Sequence, residues 1–181
     1  TRVIMTKQSS GKFTGGKFIV VEGIEGAGKS TAIQCIQAKL QTKGIEPILT
    51  REPGGTQIGE QIRAMFKANQ HEIVTPATEL LLMYASRSQL IENIIKPALQ
   101  QSKWIISDRF ELSSMAYQGG GRGIDDALIQ TISQHVMQSI QPDLIFYLDI
   151  QPELGLARAK SRGAMDRIEQ EKLAFFTRVR A

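Results

Sequence analysis

From Phe18 onward, short apolar runs alternate with longer stretches in which apolar residues recur at helical spacing. Phe18 to Glu22 (FIVVE) is a continuous apolar run that stops at glycine, the pattern of a strand buried on both faces. Ile33, Ile36 and Leu40 predict a helix ending near Gly44. Pro47 to Thr50 reads as a second strand and leads into the turn-rich REPGGT; Ile58, Ile62, Met65 and Phe66 then form another helical face. A long helix is predicted from Ala77 to Leu99, with Leu80 to Tyr84 deeply buried. Trp104 to Ser107 is a third strand, followed by a helix, a loop over QGGGRG, and a helix carrying Leu128, Ile129, Ile132 and Val136. Leu144 to Leu148 is the fourth strand, Leu154 to Lys160 a helix, and LAFFTRVRA one more.

Strands separated by helices need crossover connections, which predicts an α/β fold: a mostly parallel sheet with helices on both faces. Ligands of such sheets sit beyond the carboxyl ends of the strands. Three chemically rich segments fall there, after Glu22, after Thr50 and after Ser107. Residues 1–16, polar and rich in Gly, Ser and Lys, read as a flexible leader outside the fold, and 17–181 as a single domain. No run of 18 apolar residues exists, which argues against a membrane span. A net charge of +4 is compatible with a nucleotide or nucleic-acid ligand and proves neither. The single cysteine, Cys35, cannot close an intrachain disulfide, which favours a reducing, cytoplasmic setting; inside a helix it is expected to be a small buried residue.

The strongest chemical signal is Gly23-Ile-Glu-Gly-Ala-Gly-Lys29-Ser30, a match to G-x-x-x-x-G-K-[ST] between a strand and a helix. Glycines let the backbone curl so that several N–H groups point at one phosphate chain, and the helix N-terminus adds positive potential. Lys29 is then expected at the β/γ-phosphates and Ser30 at Mg²⁺. A chance match in this chain is on the order of 1%. Asp108, after the strand WIIS, suits a second Mg²⁺ contact or a helix N-cap, and Arg109 aims a guanidinium fork at the same crevice. Arg51 lies in a glycine turn, Arg87 on an otherwise apolar helix, and Arg158, Lys160, Arg162 and Arg167 surround Gly163. A basic run of that kind is either a solvated face or a phosphate-clamping lid. His71 and His135 read as surface or packing residues.

Taken together, FIVVEGIEGAGKST, TREPGGT, YASRSQL, the DRF of DRFELSSMAYQGGGR, PDLIFYLDI and RGAMDRIE resemble, in order, the bacterial thymidylate kinases, over Lys17 to Ala181. The resemblance implies a three-layer P-loop NTPase fold with a short lid, a homodimer, and ATP-dependent phosphorylation of dTMP to dTDP with Mg²⁺, a step toward dTTP. It implies that Gly23, Ile24, Glu25, Gly26, Ala27, Gly28, Lys29, Ser30 and Thr31 hold ATP, with Ser30 and Asp108 at the metal. Glu25 would also meet the 3′-hydroxyl of dTMP, Arg87 the thymine edge, and Arg109 the nucleotide phosphate. Ser114, Tyr117 and Gln118 fall at base- and sugar-side contacts, and Arg51 near the same crevice. Lys29, Arg109, Arg162 and Arg167 would carry catalysis. Gly26 and Ala27 stand where other members place an arginine, so a lid arginine, Arg162 or Arg167, is expected to swing in as a finger in cis. Met83 replaces an aromatic four residues before Arg87, and Lys160 and Ser161 thin the lid's arginines. The last helix and a final strand of the family pattern are expected to be cut short at Ala181.

Two other readings compete: another small P-loop kinase with a different acceptor, and a P-loop switch or nucleic-acid motor. A switch needs a segment sensing the γ-phosphate and a motor an extended basic groove. Arg51, Arg87 and Arg109 near one crevice, with a compact basic lid, favour a kinase with two small nucleotides and no nucleic acid.

Overall fold

The computed structural model describes residues 1–7, 15–69, 72–161, 163 and 165–181. Five strands form one sheet in the order β1-β5-β2-β4-β3. They are β1 (Arg2–Lys7), β2 (Phe18–Glu22), β3 (Ile48–Arg51), β4 (Ile105–Asp108) and β5 (Leu144–Asp149). All neighbouring pairs are parallel except β1 with β5. The central strand β2 feeds both cores by its alternation. Ile19 and Val21 pack with Ile106, Leu148 and Phe176 on one face, while Phe18 and Val20 pack with Ile105, Ile145 and Leu90 on the other.

The helices are α1 (Lys29–Gln41), α2 (Gln57–Lys67), α3 (Pro76–Leu90), α4 (Lys96–Gln100), α5 (Glu111–Ser114), α6 (Asp126–Met137), α7 (Pro152–Lys160) and α8 (Leu173–Arg180). The long helix expected over 77–99 is continuous from α3 to α4, with a π-helical turn at Ile91–Ile95. That turn precedes Pro97, which has no N–H to give and whose ring would crowd a regular preceding turn. Leu80, Met83 and Tyr84 are buried as expected, but Leu81 is 60% exposed because it lies on the opposite side of α3.

Three further expectations are corrected. The leader is not wholly outside the fold: Arg2–Lys7 pairs antiparallel along β5, satisfying backbone groups on that sheet edge. The QGGGRG segment is not an open loop, since Met115–Gly121 is π-helical and its glycines let α8 approach. A Cβ on Gly121 would lie 2.5 Å from the Phe175 ring. Cys35 is exposed, on the solvent side of α1. Among the described residues, no helix is long and apolar enough to cross a membrane.

Candidate active site

The register aligns the ends of three strands: Val21 and Arg51 both pair with Asp108. Beyond those ends opens a cleft of about 610 Å³. Glu25, Gly26, Ala27, Gly28, Lys29, Ser30 and Thr31 form one wall; Arg51, Arg87, Asp108, Arg109, Ser114, Tyr117 and Gln118 also face it. Gly23 and Ile24 lie behind the loop, against a second cavity.

The phosphate loop owes its shape to close backbone packing. Gly26 has φ of 71°, and a Cβ there would sit 2.1 Å from the carbonyl oxygen of Gly155 in α7. No side chain fits at that position, so an arginine there is excluded in this chain. Gly26→Ala is expected to cost more than the 1–2 kcal/mol of a left-handed alanine, because α7 must also move. An unchanged melting temperature would refute this packing.

Lys29 Nζ donates to the carbonyls of Gly23 (3.0 Å) and Ile24 (3.3 Å). Burial, reinforced by the positive charge of Arg109, lowers its pKa to about 8. Asp108 has Oδ1 sealed from solvent without a hydrogen-bond partner. It is no N-cap, since the helix that follows begins at Glu111.

Arg109 adopts φ of 71° at the end of β4, and a ring of contacts holds it there. Its Nη2 donates to Glu25 Oε1 at 2.8 Å, its Nη1 to Ser113 Oγ at 3.1 Å, and its guanidinium lies 5.0 Å from the Tyr117 ring centre. Tyr117 donates its hydroxyl to Glu25 Oε2 at 2.6 Å. Below them the buried Glu22 accepts from Phe110 N (2.8 Å) and Ser113 Oγ (2.7 Å). Burial raises the Glu22 pKa against the pull of Arg109.

Arg87 is 1% exposed and each of its three side-chain nitrogens donates a hydrogen bond. Nε and Nη2 reach Glu52, Nη1 reaches Glu111 Oε2 at 2.6 Å, and Nη2 also reaches Phe110 O and Ser114 Oγ. Glu92, farther along the same helical run, pairs with Lys96. Burial pushes the Glu52 carboxyl up to about 7, with Arg87 opposing. Arg51 pairs with Glu60 at 2.8 Å on the rim.

Sequence reasoning missed Glu52, Arg63, Phe66 and Ser113, which also line the cleft. Arg63 and Phe66 had a signal: they sit three apart on α2, where Arg63 Nη1 donates to Pro53 O at 2.9 Å. Glu52 had none, because its arginine is 35 residues away.

The thymidylate kinase family profile matches residues 21–181. The chain belongs to the thymidylate kinase family. It is 59% identical over 165 residues to a thymidylate kinase of Colwellia psychrerythraea, covering 91% of this chain and 78% of that one. It is 54% identical over 165 residues to one of Legionella pneumophila, with the same coverage of both chains. The crystal structure of thymidylate kinase from Ehrlichia chaffeensis superposes with a TM-score of 0.72 at 34% identity, covering 92% of this chain and 81% of that one. The doubly covered, mostly parallel sheet is therefore the thymidylate kinase fold.

Among the lid residues of this family member, Arg158 Nη1 lies 3.5 Å from Gly26 O on the phosphate loop, and Lys160 is exposed. Arg162 lies outside the described residues. Arg167 is held by three contacts in this structure. Its Nη1 donates to buried Glu79 at 2.6 Å, its Nε to Phe66 O at 3.0 Å, and its guanidinium stacks over the Phe66 ring. Asp166 beside it pairs with Lys67.

Proposed function

We propose that ATP and dTMP meet end to end in this cleft, ATP on the phosphate loop and dTMP between Arg109 and Gln118. Family membership gives the reaction itself: the γ-phosphoryl group of ATP passes to dTMP, leaving ADP and dTDP. The observation that carries our assignment is Glu25. A residue of the phosphate loop, it is hydrogen-bonded to Arg109 and Tyr117 on the opposite wall, so the two nucleotide sites share one carboxylate.

The chemistry needs no covalent intermediate and no general base, because the dTMP phosphate is already an anion at neutral pH. The protein aligns an acceptor oxygen with the γ-phosphorus and neutralises charge. Lys29 does this on the ATP side and Arg109 on the dTMP side. Arg162 keeps its expected role as a lid cation, with Arg158 beside the loop; Arg167 is assigned to anchoring. Ser30 and Asp108 would hold Mg²⁺. The fit rests on Asp108 Oδ1, a sealed oxygen without a donor, and on a site of few protein ligands, as Mg²⁺ prefers. When bound, the ion supplies charge neutralisation at the phosphate oxygens.

A coupled ADP-release assay over a panel of nucleoside monophosphates tests the assignment: dTMP is expected to be preferred, and preference for another would end it. If Glu25 accepts from the sugar 3′-hydroxyl, 3′-deoxy-dTMP should lose about tenfold or more in kcat/KM. Equal values for the two would remove Glu25 from the sugar.

We also assign the chain to the cytoplasm and to a homodimer. An exposed free cysteine supports the first. Exposed Ile58 and Met65 on α2, Leu81 on α3 and Leu128 on α6, all on adjoining helices, support the second. Recovery of the protein in an oxidising compartment, and monomeric sedimentation at micromolar concentration, would overturn them respectively.

A further inference from the structure

Glu79, in the first turn of α3, is 1% exposed. Its carboxylate accepts from Arg122 at 2.8 and 2.9 Å, from Arg167 at 2.6 Å and, most distantly, from Gln118 Nε2 at 3.4 Å. A carboxylate only accepts, so the edge of the Gln118 amide that faces it has to be the NH₂. The other edge is then fixed as well. Gln118 lines the nucleotide cleft and not the second cavity. Among the described residues no donor reaches its Oε1, and that oxygen is not among the sealed, unpartnered atoms. Gln118 is buried and lines the cleft, so with its nitrogen on Glu79 the oxygen is the edge of the amide left for a ligand there.

We propose that Glu79 is a positioning residue for substrate choice: by holding the amide nitrogen of Gln118 it presents the amide oxygen to ring position 3 of the acceptor base. This rests on the dTMP end of the cleft being as assigned above. Thymine and uracil carry N3–H, a donor; cytosine carries a lone pair there. An oxygen held toward that position accepts from the first two and repels the third, which is discrimination by an added repulsive contact. Released from Glu79, the amide can turn over and offer NH₂ to cytosine, so its chemistry alone does not discriminate.

The test compares kcat/KM for dTMP, dUMP and dCMP. dUMP and dCMP differ only on the edge in question, while dTMP and dUMP differ only by the methyl group. In Glu79→Gln, the introduced amide can keep its oxygen for the arginines and turn NH₂ toward Gln118, which reverses the Gln118 amide. The preference for dUMP over dCMP should fall about tenfold or more, and the preference for dTMP over dUMP should stay within about twofold. An unchanged dUMP/dCMP ratio, or an equal fall in both ratios, overturns the proposal. If thermal melting finds Glu79→Gln unfolded, Glu79→Asp keeps the charge for both arginines while withdrawing from its longest contact. The same fall is expected there, and an unchanged ratio again overturns it. Gln118→Met separates the layers: the dUMP/dCMP preference should collapse as well. A wild-type ratio in that variant removes Gln118 from the base and ends the proposal, whereas a wild-type enzyme inactive on dTMP would instead count against the proposed function.

Discussion

Lys29→Ala is expected to lower single-turnover phosphoryl transfer about 10³-fold, or about 4 kcal/mol of barrier, with the fold intact. Lys29 sits at the N-terminus of α1, and its ammonium rests on the Gly23 and Ile24 carbonyls, within the loop that would surround the phosphates. Those carbonyls are weak partners for a buried cation, and the depressed pKa of about 8 records that the charge is poorly compensated without an anion. A triphosphate supplies the missing compensation, more so as charge builds on its leaving oxygen. The pH dependence follows with a definite sign. As pH rises through about 8 the free enzyme loses the Lys29 proton, so kcat/KM for ATP should fall above that value. In the complex the phosphates favour the charged amine, so kcat should stay level to higher pH. A kcat/KM profile flat to pH 9.5, or a loss under threefold in Lys29→Ala, would end this role.

What was legible in the sequence was local. The phosphate loop could be read because one strand end, three glycines, a lysine and a helix start stand in consecutive positions, and the structure uses them consecutively. β2 and β4 could be read because each opens on consecutive apolar residues, Phe18–Val21 and Ile105–Ile106, as strands buried on both faces do. What stayed hidden depends on distant partners. Glu52 looked like one polar residue in a glycine turn; its identity as a buried counter-ion exists only once β3 lies beside β4 and brings α3 overhead. Glu79 looked like an ordinary acidic residue in a first helical turn, and only the fold brings Arg122 and Arg167 to it. The partner of Arg167 stayed hidden for the same reason: composition counts cations, but not the buried carboxylate that holds one. Cys35 went wrong through its helix face, which Ile33 and Ile36 turn inward and Cys35 turns out.

Arg87→Ala is expected to act first on stability and only then on the base. If Arg87 were chiefly a reader of thymine, its removal would leave the free protein as stable as before and weaken dTMP binding alone. The structure gives it other work: it bridges Glu52 and Glu111, and also bonds Ser114 Oγ and the Phe110 carbonyl, in the floor of the cleft. Removing one partner of a buried pair costs about 3–5 kcal/mol, because the remaining charge is left without compensation. For a chain of this size that is a fall of about 10 °C in melting temperature. Glu52 sets how the loss varies with pH. Its folded pKa is about 7 with Arg87 present, above the 4.5 of an exposed glutamate, so the folded state already binds more protons than the unfolded one between those values. Stability therefore falls with rising pH across that window in the wild type. Without Arg87 the carboxyl titrates higher still, and the window extends further upward. At pH 6 Glu52 can be buried neutral and the variant is partly spared; at pH 8 the charge has to be buried alone or the fold opened. The melting gap between wild type and Arg87→Ala should accordingly be wider at pH 8 than at pH 6. An equal gap at both pH values, or a loss below 1 kcal/mol with dTMP binding abolished, would return Arg87 to the role of a base reader.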